Sequence, residues 1–138
     1  MQQEVREQLK AKLAQHGVSA TNQRIDIAEV LFEMPQHMSA EQIIERLKSN
    51  DKSVSKATVY NTLNMFVAEG LLREVHVDPE RTFYDSTTHP HHHFFNVKTR
   101  ELIDIPASEI SVGQMPPLPA GTVAEGLDVV IRIRPSPV

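Results

Sequence analysis

Four of the seven histidines of this chain fall within five residues, at His89, His91, His92 and His93. Imidazole nitrogens bind first-row transition metals. Side chains alternate between the two faces of a β-strand, so His91 and His93 would share one face and His92 would lie on the other. Two imidazoles at this spacing can bind one ion. A flexible, tag-like histidine loop is the alternative, but the internal position and the flanking strand pattern favour a metal site.

Three further side chains are candidate ligands of the same ion. Asp85 comes shortly before the histidine cluster, and Asp104 lies on the partner strand of a predicted hairpin. His37 is distant in sequence, in a predicted loop before the third helix, and reaches the site only if the helical domain folds back. Ligands from two domains would fix the angle between them. The chain has no cysteine, which excludes disulfides, zinc–thiolate sites and iron–sulfur clusters and leaves imidazole and carboxylate as ligands.

The elements that must position these residues change in character along the chain. Residues 1–70 carry the apolar spacing of four helices, with Pro35 expected to close the second and the capping box at 39–42 expected to open the third. Residues 71–77 and 82–86 alternate as two strands around a turn. Three helices followed by a two-stranded hairpin is the order of a winged helix-turn-helix domain, which we predict over residues 1–87. The fourth helix would be its recognition helix and the hairpin its wing.

Residues 88–138 predict a smaller second domain. A second hairpin over 91–97 and 101–105 precedes a proline-rich loop, and 127–134 has the strongest strand pattern in the chain. A three-stranded sheet of this length makes a poor independent domain, so we predict that a second copy pairs with it to form a homodimer. The sequence leaves open whether dimers associate into tetramers. The predicted fold class is α+β.

The fourth helix carries polar side chains of the types that contact phosphates and base edges. A net charge of −4, with 9 Lys/Arg against 11 Asp/Glu in residues 1–78, argues mildly against nucleic acid. A solvated polar face on an ordinary core helix is the alternative, but the helix order, the wing and the dimer favour double-stranded operator DNA. The predicted contacts are Arg24, Ser55, Lys56, Thr58, Tyr60 and Asn61.

The ends and apolar runs of the chain predict its location. No apolar run is long enough to span a membrane. The first residues, Met1-Gln2-Gln3-Glu4, lack the basic start and apolar core of a signal peptide. We therefore expect a cytoplasmic protein without a membrane partner.

Several fragments together resemble the ferric uptake regulator superfamily, with the iron response regulator (Irr) as the most similar branch. They are Ala-Thr-Val-Tyr-Asn-Thr-Leu at 57–63, His-His-His-Phe-Phe at 91–95, Leu-Ile-Asp-Ile-Pro at 102–106 and Asp-Val-Val-Ile-Arg-Ile-Arg at 128–134. The resemblance implies a winged-helix domain, a small α/β dimerisation domain and palindromic operators. It implies metal ligands at His37, Asp85, His91, His93 and Asp104, and haem binding at His91, His92 and His93.

The chain also departs from that family's pattern. The paired Cys-x-x-Cys motifs that hold structural zinc in many members are missing, so no cysteine-bound zinc is expected. Pro90 stands where many members have another histidine. The segment after Asp104 is short and proline-rich where members place a helix, which predicts a reduced dimerisation domain.

These patterns are compatible with three functions. The favoured one is a dimeric, iron- or haem-responsive transcriptional regulator with manganese, iron or zinc in the His/Asp site. The alternative is a metal storage or trafficking protein that does not bind DNA. A metal hydrolase is the least favoured, because the ligand-rich set leaves little room for an open position and no base is evident; we expect no enzyme activity.

Overall fold

The computed structural model describes residues 2–34 and 36–137, which form two compact units. Unit 1 comprises residues up to Thr88, and unit 2 runs from His89 onward. Helices and strands occur together, so the chain has the predicted α+β composition. None of the described helices is long and apolar enough to cross a membrane.

Unit 1 contains four α-helices and one three-stranded sheet. The helices are α1 (Gln2–Gln15), α2 (Asn22–Phe32), α3 (Ala40–Ser49) and α4 (Lys56–Ala68), and the strands are β1 (His37–Ser39), β2 (Arg73–Asp78) and β3 (Arg81–Asp85). Their order in the sheet is β1-β3-β2, and both pairings are antiparallel. The sequence predicted only the β2–β3 hairpin and assigned His37 to a loop, which was wrong. Pro35, expected to close α2, lies outside the described residues; α2 ends at Phe32.

Side-chain caps determine where three of these helices begin. Thr21 accepts a hydrogen bond from the Arg24 backbone at the start of α2, and Ser55 caps α4 in the same way through Thr58. At α3 the predicted capping box is present: the Ser39 hydroxyl accepts the Gln42 N–H at 3.2 Å, and the Gln42 side chain accepts the Ser39 N–H at 2.9 Å. These bonds satisfy backbone donors that have no partner inside the helix.

The apolar faces of all four helices meet in one core. The predicted core residues of α4, Val59, Leu63 and Phe66, are fully buried there. Phe66 packs against Phe32 of α2 with ring centroids 6.4 Å apart. The spacing of apolar residues along α4 therefore predicted its buried face correctly.

Unit 2 is a three-stranded sheet. It consists of β4 (His91–Asn96), β5 (Leu102–Pro106) and β6 (Val130–Ile133), in the order β5-β4-β6. β5 pairs antiparallel with β4 as the predicted hairpin, whereas β6 pairs with β4 in parallel. Between β5 and β6 there is a single 3-10 turn, Ala107–Glu109. The described part of unit 2 thus contains no α-helix, unlike the α/β domain that the resemblance implied, and the last strand is shorter than the predicted 127–134.

Candidate metal centre and nucleic-acid interface

The histidines of β4 divide between the two faces of the sheet, as predicted. His91 and His93 lie on one face, almost completely buried, with ring centroids 4.5 Å apart. Asp104 of β5 is the direct cross-strand partner of His93. Its Oδ1 lies 3.6 Å from Nε2 of His91 and 3.3 Å from Nε2 of His93. Two imidazoles and one carboxylate therefore converge within unit 2.

These distances suit a shared metal ion. Ligand atoms that each lie about 2.1 Å from one ion are roughly 3.0 to 3.5 Å apart. Nδ1 of His91 lies 2.8 Å from the carbonyl oxygen of His89. Because a carbonyl only accepts, this nitrogen carries the proton and the Nε2 of a neutral ring keeps its lone pair. A backbone acceptor behind the ring is the usual way in which a ligating histidine is oriented.

Unit 1 brings together the other two predicted ligands. His37 of β1 and Asp85 of β3 are direct cross-strand partners, so their side chains leave the sheet on the same face. Two hydrogen bonds extend this pairing beyond the strand ends. The Ser86 N–H donates to the Gln36 carbonyl at 3.0 Å, and the Gln36 N–H donates to the Ser86 hydroxyl at 3.1 Å. Asp85 is fully buried and accepts the Thr87 N–H at 2.8 Å.

His92, a predicted haem ligand, lies on the opposite face of β4 from His91 and His93. Its Nδ1 accepts a hydrogen bond of 3.0 Å from the backbone N–H of Val129. His89 is exposed, and its ring lies 5.8 Å from that of His91. The structure therefore separates His92 from the convergent group, which strand alternation had already indicated.

The predicted nucleic-acid contacts lie around the first turns of α4. Lys56 and Asn61 are exposed, and Arg24, Thr58 and Asn61 line one groove between α2 and α4. Arg24 is anchored there, because its Nη1 donates to the carbonyl and the hydroxyl of Ser19 at 2.8 Å each. Ser55 acts chiefly as the helix cap: its hydroxyl accepts the Thr58 N–H and donates to Thr58 Oγ1.

Tyr60 lies beside a different depression, with Glu41 and Tyr84. Its hydroxyl donates to Glu41 Oε1 at 3.4 Å. Partial burial, the charge of Glu41 and this hydrogen bond, in that order, raise the pKa of Tyr60 above its ordinary value. The contact was not predicted from sequence, because Glu41 and Tyr60 belong to different helices.

Comparison with known proteins relates this arrangement to others. The sequence pattern described as "Ferric uptake regulator family" matches residues 15–117. A ferric uptake regulation protein of Synechococcus elongatus is 31% identical over 106 residues, which cover 74% of this chain and 72% of that protein. A peroxide-responsive repressor, PerR, of Staphylococcus aureus is 31% identical over 94 residues, or 68% of this chain and 64% of the repressor.

A solved ferric uptake regulator has a fold similar to that of this chain. The ferric uptake regulator of Pseudomonas aeruginosa with manganese superposes with a TM-score of 0.71 at 25% identity, covering 91% of this chain and 96% of that one. Fold, relatives and His/Asp cluster together define a metal-sensing transcription regulator. The chain belongs to the ferric uptake regulator family.

Proposed function

We propose that this chain is a homodimeric, iron-responsive regulator that binds double-stranded operator DNA when a divalent metal occupies its His/Asp site. Unit 1 would be the winged-helix domain, with α4 as recognition helix and β2–β3 as wing. Unit 2 would be the dimerisation domain. The convergence of His91, His93 and Asp104 on one point carries the proposal.

Each unit carries part of the proposed ligand set. His91, His93 and Asp104 supply two nitrogens and a carboxylate from unit 2, and His37 and Asp85 supply one of each from unit 1. Three imidazoles and two carboxylates suit manganese, iron or zinc. An ion bound to these residues would favour the DNA-binding conformation of the dimer, in which the two recognition helices have the spacing of the operator half-sites.

The charge of α4 supports its role at DNA despite the net charge of −4. No Asp or Glu occurs between Lys56 and Ala68, so the helix offers a phosphate no repelling carboxylate. Its N-terminal end carries the positive pole of the helix dipole. Elsewhere in unit 1, two acidic residues of α2 are paired with basic ones: Arg6 bonds both Asp26 and Glu29, and Lys52 lies 3.7 Å from Asp26.

Operator binding with and without metal tests the proposal. Chelator-treated protein would be used to select genomic fragments in the presence of Mn²⁺, and the selected fragments would be titrated with and without the ion. We expect Mn²⁺ to raise affinity about 5- to 150-fold, the usual range of such coupling, and added salt to lower it steeply. His93→Ala should abolish the metal response.

A matched pair of variants makes this test specific. Asp104→Asn removes the shared carboxylate and should weaken the Mn²⁺ response, whereas Glu101→Gln removes an exposed charge outside the group and should not. Metal binding without selection of any DNA would refute the proposed regulator and favour metal storage.

Haem, which we propose as a second signal of the Irr type, would be titrated in parallel. An unchanged Soret band in His91→Ala would exclude His91 as the haem ligand.

A further inference from the structure

His92 makes a hydrogen bond that the alternation of side chains along β4 did not predict. The backbone N–H of Val129, the residue before β6, donates to Nδ1 of His92 at 3.0 Å. The Val129 carbonyl in turn accepts the N–H of His93 at 3.1 Å. Both backbone polar groups of Val129 are therefore bonded to consecutive residues of β4. One of these bonds is ordinary strand pairing, and the other depends on a side chain.

The hydrogen bonds give His91 and His92 opposite proton positions. Nδ1 of His91 carries a proton, because its partner is the His89 carbonyl. Nδ1 of His92 must hold a lone pair, because its partner is an N–H, and the proton of the neutral ring is then on Nε2. A nitrogen that carries a proton cannot bind a metal. The lone pair of a neutral His91 is thus on Nε2, which lies 3.6 Å from Asp104, whereas the lone pair of a neutral His92 accepts the Val129 N–H.

We propose that His92 is a positioning residue that fixes the start of β6, and that its bond to Val129 excludes it from metal or haem ligation. Binding a metal through Nδ1 would displace the Val129 N–H. Binding through Nε2 would require the proton to move to Nδ1, which also breaks the bond. A ligand can therefore capture His92 only by releasing Val129.

This positioning affects the apolar face of unit 2. His92 shares that face with Phe94, which pairs with Ile103 of β5 and with Ile131 of β6. Val129 is two residues before Ile131, so the bond fixes the approach of β6 to β4. The chain between β5 and β6 is largely irregular, and it offers β6 little regular structure to keep it in register. All of these residues belong to unit 2, and the bond from Val129 to His92 depends neither on DNA binding nor on the identity of the metal.

Nuclear magnetic resonance of the full-length protein tests the proposal. In the wild type, ring ¹⁵N shifts should show an unprotonated Nδ1 for His92, and the Val129 amide should exchange slowly with solvent. His92→Ala should speed that exchange at least about fivefold, as expected for loss of one hydrogen bond. His92→Asn should retain slow exchange, because its side-chain oxygen lies near the place of Nδ1. His76→Ala, which removes a surface imidazole of unit 1, is the control.

Mn²⁺ stoichiometry provides the second readout. By equilibrium dialysis, His92→Ala should bind as much Mn²⁺ as the wild type, whereas His93→Ala should not. A protonated Nδ1 of His92 in the wild type would overturn the proposal even if the variants fail to fold. It would also be overturned by unchanged Val129 exchange in folded His92→Ala, by fast exchange in folded His92→Asn, or by loss of Mn²⁺ binding from folded His92→Ala.

Discussion

The two units bury their apolar residues to very different extents. In unit 1 four helices and a sheet enclose one core, in which Leu13, Ile27 and Phe66 are fully buried. In unit 2 the buried apolar residues are Phe95, Leu102 and Ile105, and three histidines are buried beside them. Eight of the ten exposed large hydrophobic side chains among residues 2–34 and 36–137 belong to unit 2. Unit 1 therefore has an enclosed apolar core, whereas the sheet of unit 2 leaves much of its apolar surface exposed.

The largest expected effect is the loss of stability when a core residue of unit 1 is replaced, compared with the same kind of change in unit 2. Phe66→Ala opens a cavity in a fully buried site and should lower the free energy of unfolding by about 3 to 5 kcal/mol. Ile131→Ala removes a side chain that is 40% exposed, and in dilute protein it should change that free energy by less than about 1 kcal/mol. Urea unfolding followed by circular dichroism measures both. Equal losses would mean that the units share one cooperative core.

The second prediction concerns the apolar row formed by Ile103, Phe94 and Ile131 across the sheet of unit 2. Because Ile131 is 40% exposed, a second copy that covers this row would bury apolar surface worth about 0.6 to 1.2 kcal/mol at each Ile131, so Ile131→Ser in both copies should weaken dimerisation about tenfold. Sedimentation equilibrium measures the dissociation constant. Met34→Ser is the matched control, because Met34 is 59% exposed but belongs to unit 1. Equal weakening by both variants, or a wild-type monomer at high concentration, would contradict the prediction.

The smallest expected effect tests the polar surface of unit 1. Burial first, and then the charge and hydrogen bond of Glu41, raise the pKa of Tyr60 above 10.0. Glu41→Gln should lower this pKa toward its ordinary value without restoring it fully, because burial remains. A raised pKa in the folded state means that its contribution to stability is complete below pH 10 and is lost as pH rises further.

Absorbance at 295 nm during alkaline titration measures that change. The pKa of Tyr84 is also raised, chiefly by burial, so the titration should be done in a Tyr84→Phe background. Glu45→Gln removes a carboxylate of the same helix and serves as the control. An unchanged Tyr60 pKa in Glu41→Gln would show that burial alone accounts for the shift.

The sequence by itself determined the local features. The spacing of Val59, Leu63 and Phe66 gave the buried face of α4, and the residue pattern at Ser39 gave the start of α3. Strand alternation separated His92 from His91 and His93. Each of these rests on residues a few positions apart, whose relative directions are set by helix or strand geometry alone.

Only the tertiary structure decided the long-range pairings. His37 lies opposite Asp85 because β1 joins the sheet beside β3, yet β1 is three residues long and shows no strand alternation of its own. Likewise, β6 reaches β4 across a largely irregular segment, and the bond from Val129 to His92 follows from that parallel register. Such pairings depend on which strands meet and in what register, and local side-chain patterns specify neither. The sequence therefore named the candidate ligands, and the fold determined that His91 and His93 meet Asp104 while His92 bonds to Val129.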